Sequence, residues 1–367
     1  MDKNVILKNI EDLSNNAMFA MSQTSKELFH SNFWAWLLRK YPKIFTKVFY
    51  PKYDGKSKVE VFREKSHFDL MLKIDDEFII IENKFKSMPS KEQLDKYYEK
   101  IKDNKKKIVI ISYFKPLFHS TLFDMEYISY ETLSRRLQSA FHTKSAATFG
   151  GNNWFTINDY IVFLELLNKF QNCIEIQTSD KIGDLYSVAK DKEIQDKLSE
   201  INFSKTFERI LMTKLTEKVL AGYDNKEFVD KIYIDCGRDL KVYSDILFYF
   251  KGAWDKCESN RHDLCYLGIS LWGNFYRRYA GLHKKQCGIS NAKNGRHDKE
   301  NKNAGYKYLL EKYNWFFKDN NNWGGYSYDN EMYLYQKIDI SELTVEELVT
   351  MAIDDLELLY KRVKCQD

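Results

Sequence analysis

Proline is scarce in this 367-residue chain: the four present, Pro42, Pro51, Pro89 and Pro116, are too few to form a proline-rich spacer. Long apolar runs are missing too. The longest are strand-sized, well short of the roughly 20 residues that cross a bilayer, so no membrane association is expected. Six cysteines (Cys173, Cys236, Cys257, Cys265, Cys287 and Cys365) are too scattered for a disulfide framework. Together with a charged, helix-like opening segment, they give the expectation of reduced thiols in a cytoplasmic protein. Charge of one sign is not in large excess: the formal net charge of +4 permits a polyanionic partner without requiring one. What remains is a globular composition, 44% hydrophobic and 30% charged, in a chain long enough for two domains.

Residues 26–40, KELFHSNFWAWLLRK, place Leu28, Phe29, Phe33, Trp36 and Leu37 on one helical face. VEVFREK (59–65) alternates as a strand. FDLMLKI and FIIIENKF follow, separated by Asp75, Asp76 and Glu77, which predicts a tight hairpin between buried strands. A helix is expected over 91–103, then a near-continuous apolar strand, KIVIISYF (107–114), of the kind buried on both faces. A strand near MEYIS and a helix YETLSRRLQSAF complete an α/β unit over 1–145, a mixed central sheet flanked by helices. TKSAATFGGNN (143–153) reads as a linker. Beyond it, 154–222 is helical in pattern and 228–273 strand-like. A polar, basic stretch (284–303) reads as an exposed loop, and TVEELVTMAIDDLELLYKRVKC as a capped helix. Residues 154–367 are therefore expected as a C-terminal helical, then α+β, domain.

The hairpin carries three charged residues in otherwise apolar strands: Asp69, Glu82 and Lys84. Directly opposed residues of an antiparallel pair share a face, so the turn decides which residues meet. A loop of Asp75 and Asp76 sets Asp69 opposite Glu82. A loop of Asp76 and Glu77 sets it opposite Lys84, and either gathers all three on one face. A three-residue loop would instead oppose Asp69 to Asn83. Two carboxylates with Cβ atoms about 5 Å apart repel unless a cation lies between them. Mg²⁺ meets that need: it takes oxygen ligands, one or two of them carboxylates, and polarises phosphodiesters. The plainer alternative is a surface ion pair worth about 0–1 kcal/mol. Three consecutive isoleucines, Ile79 to Ile81, argue for burial and against that alternative.

These residues resemble the PD-(D/E)XK nuclease superfamily. Asp69 and then Glu82-Asn83-Lys84 match its D…(D/E)xK signature, with Phe68 where the name-giving proline would stand. QLDKY, Gln93 to Tyr97, is similar to the Q-x-x-x-Y element of RecB-like members. KELFHSNFWAWLL is similar to the E-x-x-H-S…LL helix of the family-4 branch, aligning Glu27 and His30. The match spans roughly residues 24–130. The resemblance implies a restriction-endonuclease-like core and Mg²⁺, replaceable by Mn²⁺, held by Asp69, Glu82 and the Asn83 carbonyl. It further implies Lys84 as catalytic lysine, Glu27 as a further acidic site residue, and Gln93, Tyr97 and His30 as substrate-binding. Glu64 matches a glutamate often found before the hairpin. The implied function is hydrolysis of nucleic acid, DNA foremost, in phage defence or mobile-element biology. The alternative is a non-cleaving nucleic-acid-binding or sensor protein on the same scaffold.

Other readings stand beside these. Gln93 could close a capping box with Ser90, and His30 could be a hydrogen-bonded histidine at the helix edge. Cys257, Cys265, His283 and Cys287 offer zinc ligands at poor spacing. Trp254, Trp272, Trp315 and Trp323, with Arg277 and Arg278 in FYRRYAGLHKK, could stack bases and track phosphates or form the core and rim of a sheet. The C-terminal domain is expected to recognise substrate or a protein partner, and oligomerisation is open.

Overall fold

The computed structural model describes residues 1–25, 27–64, 68–85, 106–117, 125–229, 231–236, 242–250, 265–283, 309–311, 313–317, 323–327 and 331–363. Its elements begin with α1 (Lys3–Ser14), α2 (Ala17–Ser25), α3 (Glu27–Lys40) and α4 (Pro42–Phe49). Five strands follow: β1 (Val59–Arg63), β2 (Leu70–Ile74), β3 (Glu77–Lys84), β4 (Lys106–Ser112) and β5 (Met125–Ser129). Next come α5 (Tyr130–His142), α6 (Ala146–Phe149), α7 (Gly151–Asn172), α8 (Ile182–Ala189), α9 (Lys192–Glu200) and α10 (Ser204–Gly222). The chain continues through β6 (Lys231–Cys236), β7 (Val242–Phe250), β8 (Cys265–Trp272), β9 (Phe275–His283), β10 (Trp323–Ser327) and β11 (Glu331–Asp339) to α11 (Val345–Val363).

These elements form two compact units, 1–175 with 192–206, and 176–191 with 207–367. The expected linker is not one. Residues 143–153 carry α6 and the first turn of α7, joined at Gly150 with φ +73°, and Phe149 is buried. The stretch lies inside the first unit, and the chain first crosses to the second unit after residue 175.

The first unit is an α/β fold around one mixed sheet in the order β1-β2-β3-β4-β5. β1, β2 and β3 pair antiparallel, and β4 and β5 are added in parallel. Parallel strands are covered on both faces, and Ile108 to Ile111 of β4 are all buried. One face packs on helices: α3 against β1 and β3, and α5 against β4 and β5. The other carries a cluster of Phe68, Met71, Ile80, Ile108 and Ile110. Helix α3 departs from a single apolar stripe. Leu28 is 45% exposed, whereas Trp34, Ala35 and Leu38 are buried, because α2 and α4 flank the helix as well as the sheet. The helix expected at 91–103 lies outside the described residues.

The second unit contains a six-stranded antiparallel sheet in the order β10-β11-β9-β8-β7-β6. The expected strands over 228–273 are present, and β9 to β11 extend the sheet further. α11 packs on β7 and β8. It starts from a capping box, as TVEE implies: Thr344 N–H donates to Glu347 Oε2 at 2.8 Å and Glu347 N–H to Thr344 Oγ1 at 3.2 Å. Buried beneath it is an ion pair, Arg278 Nε to Asp355 Oδ2 at 2.6 Å, joined by the Tyr276 hydroxyl at 2.8 Å. On the opposite face the rings of Tyr266 and Tyr335 lie across Gly281 and Gly324, where a Cβ would meet ring atoms at 1.9 and 2.2 Å. A side chain at either position would displace the ring above it.

Candidate active site

The hairpin turn is Asp75-Asp76. Asp75 adopts φ +51°, and β2 pairs with β3 from Ile74 opposite Glu77 to Leu70 opposite Ile81. One step outward in that register Asp69 falls opposite Glu82. Of the two turns that gather the charges, the structure adopts the one that opposes the carboxylates. Side chains alternate along a strand, so Glu82 and Lys84 share their face, and Lys84 Nζ lies 2.8 Å from Glu82 Oε1. Both are buried, Glu82 to 1% exposure and Lys84 to 8%.

Backbone polarity sets the rest. Lys84 carbonyl accepts from Tyr113 N–H at 3.1 Å, toward β4. The neighbouring peptide must face the other way, and Asn83 N–H donates to Asp69 Oδ2 at 3.0 Å. The carbonyl of Asn83 projects to this same side, past the end of β2. The end of the hairpin thus carries the Asp69 carboxylate on the Asn83 amide and the Glu82 carboxylate on the Lys84 ammonium. Among the described residues no three His, Cys, Asp or Glu side chains converge as a metal cage. A donor set of few protein oxygens, with the remaining positions left to water and substrate, fits a hard divalent cation such as Mg²⁺ better than zinc.

The Asn83 side chain points to the helix face instead. Its Oδ1 accepts from the Tyr130 hydroxyl at 3.4 Å, and Tyr130 packs on Phe85 and His30 with ring centroids 6.1 and 5.4 Å apart. His30 is a correction to its expected contact with substrate. It has no exposed surface, its Nδ1 lies 2.8 Å from the Tyr160 hydroxyl, and Phe163 stacks on it at 5.6 Å. Desolvation pushes its pKa from 6.5 down to about 3, so it stays neutral. It is a core residue behind the site.

Glu27 begins α3, but its side chain lies outside the described residues, as do Ser90, Gln93 and Tyr97 entirely. Of the zinc candidates, Cys257 and Cys287 and the side chains of Cys265 and His283 also lie outside them. Glu64, at φ +53°, is exposed and pairs with Arg63 at 3.0 Å. Sequence reading missed Arg63, Asn32 and Tyr130. Their relation to the site depends on which helix covers which strand, and no local spacing signals that.

Residues 15–181 match the family model of the PD-(D/E)XK nuclease superfamily. This part of the chain belongs to that superfamily. No curated protein and no solved structure matches the chain. Membership places the unit among nuclease-type hydrolases, whose substrate is nucleic acid and whose chemistry generally uses divalent metals. The match includes the whole mixed sheet and the three helices α5 to α7, and stops before the six-stranded sheet. The matched residues include Asp69 and Glu82-Asn83-Lys84 of the hairpin. No helix among the described residues is long and apolar enough to cross a membrane.

Proposed function

We propose that the chain is a Mg²⁺-dependent nuclease hydrolysing phosphodiester bonds, with DNA as its substrate. The observation that carries this reading is the pair of contacts at the end of the hairpin: Asn83 N–H donates to Asp69 Oδ2 at 3.0 Å, and Lys84 Nζ meets Glu82 Oε1 at 2.8 Å. Asp69, Glu82 and the Asn83 carbonyl would hold the cation. Mg²⁺ bound there supplies Lewis-acid polarisation of the phosphoryl oxygen and lowers the pKa of a water. Lys84 is positioned to orient the attacking water or to stabilise charge on the phosphoryl oxygens. Glu82 keeps its ammonium in place by accepting from Nζ. Glu27, Gln93 and Tyr97 are proposed as further site residues on the strength of their motifs alone, and a role against phage or mobile elements rests on the same resemblance.

The second unit is proposed to contact polynucleotide. Arg277 lies 3.5 Å from the Trp272 ring centroid and 4.3 Å from that of Tyr335, and Lys337 stands 3.3 Å over Phe275. Cations layered with aromatic rings suit stacking on bases beside a phosphate chain.

Incubation of plasmid DNA, single-stranded DNA and RNA with the protein and Mg²⁺ or Mn²⁺ tests the activity. Cleavage of DNA that is lost in folded Asp69→Ala and Lys84→Ala is the expected result. Activity surviving both substitutions would exclude this site.

A further inference from the structure

Asp69 stands just outside the paired register, because β2 begins at Leu70. Its position therefore needs a hold other than the ladder. Arg63, at the end of β1, supplies one: NH1 donates to the Asp69 carbonyl oxygen at 2.6 Å. The same guanidinium reaches α3, with Nε and NH2 donating to Asn32 Oδ1 at 3.0 and 2.9 Å. Arg63 is paired with Leu70, so it approaches from the helix side of the sheet, behind the face that carries the carboxylates. Its side chain is only 13% exposed.

Two points now fix the aspartate: Asn83 N–H holds one carboxylate oxygen, and Arg63 holds the main chain. We infer that Arg63 is a positioning residue of the metal site, clamped to α3 by Asn32 so that the Asp69 carboxylate meets the donors of β3 in one geometry. The inference rests on the nuclease reading given above. A planar fork with fixed donor directions suits this task, and an ammonium on a flexible stem cannot bond both partners in the same way. Groups that orient metal ligands typically change metal affinity or activity by about 10–100-fold when removed.

Manganese uptake by the full chain, measured without polynucleotide by the loss of the free Mn²⁺ resonance, gives a readout separate from cleavage. Arg63→Met is expected to keep its circular dichroism and to weaken Mn²⁺ binding by about 10–100-fold. Arg63→Lys should recover only part of that loss. Asn32→Ala, which frees the guanidinium at an exposed position, should shift binding in the same direction by less. Folded Arg63→Met with wild-type affinity overturns the role of Arg63. Should that variant fail to fold, Asn32→Ala decides, and unchanged affinity there overturns it equally. Wild-type protein that takes up no Mn²⁺ overturns the nuclease reading itself, and this inference with it.

Discussion

Replacing His30 with asparagine tests the enclosed core behind the hairpin. Asparagine can still offer a partner to the Tyr160 hydroxyl, but it cannot take up a proton. In the folded chain burial pushes the His30 pKa to about 3, whereas an unfolded chain protonates the same ring near 6.5. The folded value is the lower one. Between the two, the unfolded state binds one more proton, so stability falls as pH falls, by about 1.4 kcal/mol per pH unit. Above pH 7.5 the term vanishes. From pH 8 to pH 5 it removes about 2 kcal/mol, and the full loss near pH 3 is about 5 kcal/mol. Urea unfolding of both proteins at pH 8 and pH 5 measures it. His30→Asn loses packing at every pH, so the diagnostic is the slope: the variant should lose about 2 kcal/mol less than wild type over that interval. Equal losses would mean that His30 is not shielded, and the argument for a neutral core histidine would fail.

Three further outcomes follow from named contacts. Lys84→Met leaves Glu82 buried without its ammonium and should lower unfolding stability by about 3–5 kcal/mol. Mg²⁺ at ten times its dissociation constant should return about 1.4 kcal/mol, and a variant with no Mg²⁺-dependent gain would count against a cation at Glu82. In the second unit Asp355→Ala takes the counter-charge from buried Arg278 and leaves it the neutral Gln336 Oε1, with an expected loss of about 3–5 kcal/mol; a change below about 1 kcal/mol in urea titrations would refute a buried pair. Asp75→Gly relieves the left-handed backbone of the turn and should raise stability by about 0.5–1 kcal/mol with the register unchanged, whereas a clear loss would contradict that conformation.

Much of the hairpin was legible without coordinates, because strand alternation and turn length are local rules. They confined Asp69, Glu82 and Lys84 to one face for either two-residue turn. Those rules did not choose between Asp75-Asp76 and Asp76-Glu77, because the two registers differ by two residues and leave every side chain on the same face. The burial of β4 and the capping of α11 were legible for the same reason, one from an unbroken apolar run and the other from residues three apart.

Tertiary structure decided what no spacing encodes. TKSAATFGGNN has the composition of a linker, yet Phe149 finds Phe45 and Phe141 and the stretch folds into the first unit. His30 has the look of a site residue on its helix, and the rings of Phe85, Tyr130, Tyr160 and Phe163 from distant elements make it core. Arg63 of β1 bonds both the Asp69 carbonyl and Asn32 of α3, and Asp355 meets Arg278 across 77 residues of chain. Such partners are brought together by packing, and their desolvation, more than their identity, sets what each charge does. Local pattern thus determined the strands, their faces and the candidate chemistry, while the packing of helices on the sheet determined which charged and polar groups are enclosed and which partners they meet.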